Sequence, residues 1–383
     1  MASGAHGADD MTETITDDPA RRGERRDFAT ERAWIARRAE PLVIVAASLL
    51  AGCGLFSLLL LTLDKSPAQF FELLWRGGFG SWFSIQNMLS RAAPLLLAGL
   101  CVALPARLGL LIIGGEGAIA LGGVAAAATG SALSSAPAPL VVTAMALAGM
   151  AVGGAWIGAI GALRHYRAVN ETISGLLMAY IAIALMNHLV EGPLRDPASL
   201  NKPSTAPLPD ADRIGSIPGT DVHWGLVVGI AFCLLASVLI EKTSWGFAAR
   251  ISGGNLRAAR IQGLPVGALI VAFCALAGAA AGLCGMIEVA AVHGAANASL
   301  ASGYGYTGIL VAFLARQNPL AIIPVAMLLG GVGAAGGLIQ RRMELPDATI
   351  LVLQGMVFIV VLFAETLYGR FHIFTPERWA RKG

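Results

Sequence analysis

Charged side chains are scarce in this sequence. Lys, Arg, Asp and Glu make up 13% of the 383 residues, whereas 56% are hydrophobic, and the mean hydropathy is +0.69. Soluble globular domains carry roughly twice that share of charge. The composition excludes an ordinary soluble protein and predicts an all-α polytopic membrane protein, since helices satisfy their own backbone hydrogen bonds in hydrocarbon. We expect the bilayer as a partner and no nucleic acid.

Cysteine and histidine are too few and too scattered to suggest a metal site. The five cysteines all lie in apolar runs without the spacing of metal ligands, so we expect small apolar side chains and neither disulfides nor ligands. His188 has no second ligand at a workable spacing. No metal site is predicted.

Nucleotide-binding motifs are missing as well. No G-x-x-x-x-G-K-[ST] occurs, so the chain has no such loop to hold nucleotide phosphates. The glycines at 115–120 and in "GYGYTG" at 303–308 match the dinucleotide fingerprint, but neither is followed by the required acid. We therefore predict that the chain is not an enzyme and binds no cofactor, and that any ATP and Mg²⁺ belong to a separate subunit.

Long apolar runs predict the membrane spans. A helix needs roughly 20 apolar residues to cross a bilayer, and about ten stretches meet or approach that length. The third and eighth begin in glycine clusters, and the eighth is too short to cross alone. The predicted spans are 41–63, 84–104, 109–131, 138–163, 171–191, 223–241, 265–284, 303–316, 319–340 and 347–368.

Flanking charges predict the orientation. The Arg-rich segment 1–40 precedes the first span and should stay in the cytoplasm, since a signal peptide would have a shorter apolar core nearer the terminus. The transmembrane domain would cover 41–370, followed by a cytoplasmic tail at 371–383. Arg341 and Arg342 fall outside in this arrangement, and a half-crossing at the eighth segment would remove that conflict.

Two glycine clusters occupy corresponding places in the predicted order of spans. "GGEG" at 114–117 opens the third span and "GYGYTG" at 303–308 opens the eighth. We predict an inverted repeat of spans 2–5 and 7–10, whose interrupted helices face one pathway, because broken backbone at membrane depth needs hydrogen-bond partners. Close helix packing is the alternative, and it is the favoured reading for the pairs Gly278 with Gly282 and Gly333 with Gly337.

Polar residues inside the spans are candidates for the pathway. Glu116 is the one acid in the run 108–163, and it either faces a water-lined path or caps free amides at a helix start. Tyr304 and Tyr306 either contact a solute or anchor the membrane interface. A hydrogen bond between helices is the alternative for single polar residues within spans. The predicted pathway residues are Gly115, Glu116, Gly117, Asn187, Tyr304, Tyr306 and Gln354.

The long loop predicted on the cytoplasmic side covers 245–264. Small, basic and apolar residues alternate there at helical spacing, with a turn signal at Gly253, Gly254 and Asn255. A short surface helix with small residues would fit a groove on a partner protein. A solvated connecting loop is the alternative.

Four stretches carry a family resemblance: "GLLIIGGEGAIALGG", "VNETISGLLMAYIA" continuing to "GPLRDP", "GGNLRAARIQGL" and "GYGYTGILVAFLARQNPL". They resemble permease subunits of ATP-binding-cassette importers in the family that serves branched-chain amino acids, ribose and nucleosides. The chain is most similar to simple-sugar and nucleoside permeases that work with basic-membrane-protein-type receptors. Where the family's glycine-acid motif has Asn and Gln, this chain has Ile112 and Ala118.

The resemblance implies a multi-pass permease of the bacterial inner membrane that imports a nucleoside or a related polar solute. A simple sugar is the alternative solute, and a proton-coupled secondary transporter is the rival mechanism. The implied partners are an ATPase subunit, a second permease chain, and a periplasmic or lipoprotein substrate-binding protein. The 245–264 loop would be the coupling helix on the ATPase, through Gly246, Arg250, Gly254, Asn255, Ala258, Ala259, Arg260 and Gly263.

Overall fold

The computed structural model describes residues 43–346 and 348–365, so the predicted cytoplasmic segments 1–40 and 371–383 lie outside it. The described part is helical, with two isolated β-bridges at Ser204–Asn297 and Ser216–His223. Its helices are α1 (Val43–Thr62), α2 (Pro67–Gly78), α3 (Trp82–Ala106), α4 (Gly115–Ala132), α5 (Ala138–Arg167), α6 (Glu171–Glu191), α7 (Gly225–Lys242), α8 (Ser244–Gly254), α9 (Leu256–Ile261), α10 (Val266–Ile287), α11 (Tyr304–Leu314), α12 (Pro319–Ala334), α13 (Gly336–Met343) and α14 (Ala348–Glu365).

Local sequence signals set several of these boundaries. Asn170 caps α6 by accepting from the backbone N–H groups of Thr172 and Ile173, each at 3.0 Å. Asn318 caps α12 in the same way through Leu320 N at 3.0 Å, and Pro319 occupies the first turn. Short polar side chains are favoured there because they satisfy amides that have no partner inside the helix.

The structure confirms an all-α polytopic membrane protein. Seven helices are long and apolar enough to cross a membrane, and they begin at Val43, Trp82, Ala138, Glu171, Gly225, Val266 and Pro319. The other three predicted segments contain α4, α11 and α14. The third span differs from the prediction, because α4 begins at Gly115 rather than near residue 109 and the chain before it has no helical structure at 110–114.

Contacts divide the chain into two units. The larger unit is Gly52–Ile359, and the second comprises Met1–Ala51 and Val360–Gly383. Of the second unit, the structure describes only helical stretches, in one of which Ser48 Oγ donates to Ile44 O at 2.7 Å. The core and the candidate site described below belong to the larger unit.

Helix packing in the larger unit repeats between the two predicted blocks. α3 packs against α11 and α12, and α10, its counterpart in the second block, packs against α4 and α5. The first helix of each block thus packs against the second and third helices of the other block, as expected of two related four-span blocks. α3 is the most enclosed span, with 83% of its most apolar window buried, whereas α5 and α6 have 33% each. Opposite orientation of the blocks in a membrane remains a prediction.

Glycine permits the closest helix contacts. A Cβ at Gly278 would overlap the carbonyl oxygen of Gly153, and one at Gly282 would overlap that of Gly149. The predicted packing role of this pair is confirmed. The prediction was wrong for Gly333 and Gly337, because Cβ atoms there would meet only arginine side-chain atoms, at 3.9 and 3.8 Å. The residue spacing is the same, but among the described residues no backbone of another helix lies within 4 Å of a Cβ at either position.

Candidate functional site

The two glycine clusters identified in the sequence meet in space. A Cβ at Gly115 would lie 3.7 Å from Gly305 Cα, and a Cβ at Gly305 would overlap the backbone nitrogen of Glu116. The starts of α4 and α11 are therefore in direct backbone contact. Only residues without side chains allow two helix ends to approach this closely.

Glu116 joins these two helix starts. Its Oε1 accepts from Gly303 N and its Oε2 from Gly305 N, each at 2.6 Å. The backbone N–H of Tyr306 adds a third interaction with the carboxylate. Gly303, the N-cap of α11, has φ +90° and supplies no side-chain cap of its own. The acid of α4 thus satisfies amides at the start of α11 that would otherwise lack partners.

This arrangement bears on the two roles open to Glu116. The side chain is 2% exposed, and its two hydrogen bonds fall on a helix from the other block rather than on α4. The cap is therefore of a kind that the sequence did not suggest. Both α4 and α11 place their positive ends near the carboxylate, which stabilises the negative charge. Direct contact of Glu116 with a solute remains a prediction.

A cavity of about 270 Å³ with both polar and apolar walls lies next to this junction. Tyr304 and Thr307 line it from α11, and Gln354 lines it from α14. Thr307 Oγ1 donates to Gln354 Oε1 at 3.3 Å. Apolar and glycine residues complete the wall: Leu95, Leu329, Gly330, Gly333, Ala348, Ile350 and Leu351. The structure thus brings together two predicted pathway residues, Tyr304 and Gln354.

The remaining predicted pathway residues lie elsewhere. Tyr306 is 41% exposed and Asn187, on α6, is half-buried, and neither is among the described residues that line the cavity. Gly117 packs on α6, since a Cβ there would lie 2.7 Å from Ala182 Cβ. Gly115 is buried where α4 meets α11. Their roles in the pathway remain predictions.

Sequence reasoning missed three polar residues that line the cavity, Arg91, Ser302 and Thr307. Arg91 carried a usable signal, because it is an arginine inside the predicted span 84–104 and charged residues within spans are functional candidates by default. Ser302 precedes the second glycine cluster, and Thr307 lies within it. Nothing in their spacing distinguishes them from other small polar residues.

A buried acid lies near the cavity. Glu288 directly follows α10, in a π-helical turn, and is 2% exposed. Its Oε1 has no hydrogen-bond partner among the described residues, and His293 Nδ1 lies 3.6 Å from its Oε2. Arg91 and Tyr304 both interact with Glu288 electrostatically. One side of the cavity therefore combines the hydroxyl and amide groups with the charged Arg91, and Glu288 lies near it.

The predicted docking loop forms α8 and α9. Asn255 separates them and caps α9 through Arg257 N and Ala258 N, each at 3.0 Å. Of the predicted ATPase contacts, Gly246 and Ala259 are buried and Ala258 is half-buried. The other five are exposed: Arg250, Gly254, Asn255, Arg260 and Gly263. The buried two face the protein itself, where a Cβ at Gly246 would overlap the carbonyl of Ile240. Ile261, which the sequence did not single out, is 81% exposed.

Known proteins resemble this chain over most of its length. The family described as branched-chain amino acid transport system, permease component, matches residues 84–362. A glucose ABC transporter permease of Haloferax volcanii is 32% identical over 347 residues, covering 88% of this chain and 90% of the relative. A guanosine ABC transporter permease of Bacillus subtilis is 28% identical over 352 residues, covering 88% and 96%. A nucleoside ABC transporter permease of Lactococcus lactis is 24% identical over 336 residues, covering 84% and 91%.

Proposed function

The chain belongs to the family of branched-chain amino acid transport system permease components, and from this premise we propose that it is the membrane-spanning subunit of an ATP-binding-cassette importer for a nucleoside or a related small polar solute. The cavity beside the interrupted helix α11 carries this proposal. Its volume of about 270 Å³ lies just below the usual range of small-molecule pockets. A solute of one or two rings is therefore the expected size.

The hydroxyl and amide groups of the cavity favour a solute that forms hydrogen bonds. Ser302, Tyr304 and Thr307 offer hydroxyls and Gln354 offers an amide, and each of these groups can both donate and accept. Such groups match the hydroxyls of a ribose and the edges of a base. The ring of Tyr304 could also stack on a planar base.

A simple sugar is the second candidate solute. The observation that favours it is the glucose permease relative, at 32% identity. Hydroxyl and amide groups bind a sugar as readily as a ribose, so the lining suits both. A nucleoside differs from a simple sugar in having a planar base, and only the base would gain from stacking on Tyr304.

The proposed partners follow from the family. A separate ATPase subunit would bind ATP and Mg²⁺ and dock on α8 and α9, whose exposed residues include Arg250, Asn255 and Arg260. A second permease chain and a periplasmic or lipoprotein substrate-binding protein would complete the importer. We place the complex in the inner membrane, with both termini of this chain in the cytoplasm.

Uptake by the purified complex in proteoliposomes tests the proposal. We expect ATP-dependent uptake of a radiolabelled nucleoside, with a raised KM in Tyr304→Phe and Gln354→Ala because each loses a hydrogen-bonding group in the cavity. Tyr166→Phe is the matched control, since Tyr166 is a tyrosine 73% exposed on α5, away from the cavity lining. Uptake of glucose or ribose but not nucleosides would select the second candidate. Uptake of leucine alone would overturn both.

A further inference from the structure

Helix α11 is held at both ends by one stretch of chain, residues 107–116. At its start, the Glu116 carboxylate accepts from Gly303 N and Gly305 N. Beyond its other end, Arg107 donates from a guanidinium nitrogen to the backbone oxygen of Gln317 at 2.7 Å. Both are charge-assisted hydrogen bonds, which are roughly twice as strong as neutral ones.

The stretch 107–116 is itself fixed between these two points. Gly109 turns the chain with φ +73°, and the residues from 110 to 114 then run without helical structure. Leu111 O accepts from Thr172 Oγ1 of α6 at 2.7 Å, and Ile112 is fully buried. A stretch anchored along its length can shift only together with the groups it contacts.

The first residues of this stretch touch the predicted docking region. A Cβ at Gly253 of α8 would overlap the carbonyl oxygen of Arg107, and a Cβ at Gly109 would lie 3.5 Å from Gly253 O. α8 thus contacts the stretch through backbone, beside the residue that holds the end of α11. Backbone contacts have little freedom to absorb a displacement.

We propose that residues 107–116 and α11 move as one unit, which transmits displacement of α8 to the cavity. Arg107 and Glu116 are the positioning residues of this unit, since each holds one end of α11. The cavity residues Tyr304 and Thr307 lie on α11, so a shift of the helix changes the cavity wall directly. This inference rests on the proposed docking of an ATPase at α8.

Two variants test the unit in the reconstituted complex. Glu116→Gln keeps the shape but leaves one oxygen and one NH₂ group, which cannot accept from the second amide. Arg107→Gln is too short to reach the Gln317 carbonyl. We expect both variants to assemble and hydrolyse ATP, while solute imported per ATP falls roughly fivefold or more. Unchanged import per ATP in both would overturn the proposal.

The controls remove comparable groups outside the unit. Glu191→Gln alters an exposed acid at the end of α6. Arg195→Gln removes another arginine bond to a backbone carbonyl, that of Ser199 at 3.3 Å. Both controls should keep wild-type import per ATP. If Glu116→Gln does not fold, Arg107→Gln and Gly305→Ala test the same unit from its other contacts.

Hydrogen exchange separates this inference from the proposed solute. In the wild-type complex, ATP plus vanadate should change exchange of amides in 107–116 and in 303–317 together. In Glu116→Gln, the change should remain in 107–116 and be lost in 303–317. Independent changes in the wild type would overturn the proposed unit, whatever the solute. A joint change without nucleoside or sugar uptake would overturn only the proposed solute.

Discussion

At the scale of single residues, Glu116 shows how context decides the role of a charge. A lone acid in an apolar run must find partners, because an ionised group at membrane depth costs about 2.5 kcal/mol or more. Here the partners are amides of α11, 187 and 189 residues away in the chain. The sequence identified the acid, but it could not identify a helix so distant as the one that the acid caps.

Glycines with the same spacing also differ in role, and substitution should reveal it. We expect Gly282→Ala to lower the free energy of unfolding by about 1 to 3 kcal/mol, because the new methyl group would overlap backbone of α5. Gly337→Ala should be neutral or slightly stabilising, since its nearest neighbour is an arginine side chain. Thermal unfolding in detergent measures both. Equal destabilisation would contradict the contrast drawn between the two helix faces.

At the scale of elements, α8 and α9 form a compact pair that presents one exposed surface. Asn255 ends one helix and caps the next, which fixes the angle between them. Ala259 faces inward while Arg260 and Ile261 face outward. The pair therefore has both an anchor in the protein and a free side for a partner.

Ile261 should contribute to the proposed ATPase contact. We expect Ile261→Ser to weaken binding of the ATPase subunit about tenfold, because burying an isoleucine stabilises a contact by about 1.5 to 3 kcal/mol. Leu200→Ser is the matched control, since Leu200 is 82% exposed and Ile261 81%, but Leu200 precedes and Ile261 follows α7, a helix long enough to cross the membrane. Co-purification from detergent measures the effect. Equal weakening by both substitutions would argue against a contact at α9.

At the scale of the whole molecule, the energy source separates an importer from a secondary transporter. A proton-coupled transporter would need a membrane acid such as Glu116 to carry the proton, and in the described residues Glu116 already accepts hydrogen bonds from two backbone amides. The importer proposed above needs no such proton carrier.

Uptake by proteoliposomes should therefore follow ATP and not the pH gradient. We expect uptake to stop when ATP is omitted and to continue when a protonophore collapses the gradient. Radiolabelled solute and luminal pH are measured in the same preparation. Uptake that persists without ATP but is lost with the gradient would replace the importer by a proton-coupled transporter.

Much of the fold could be predicted from the sequence. Long apolar runs marked the spans because the thickness of the bilayer sets their length. The start of α4 could not be placed, since residues 110–114 are as apolar as the span beside them. Their non-helical path is fixed by contacts that include the hydrogen bond from Thr172 Oγ1 to Leu111 O.

The sequence by itself determined the class of protein, most of its membrane helices and the two glycine clusters with their lone acid, because composition, periodicity and lone charges act locally. Only the tertiary structure decided that the two glycine clusters touch, that Glu116 caps α11, and that Arg91 joins Tyr304 and Gln354 at one cavity. These contacts join residues far apart in the chain. Packing of α3, α4, α10 and α11 brings them together, and no local pattern records which distant backbone a helix end will meet.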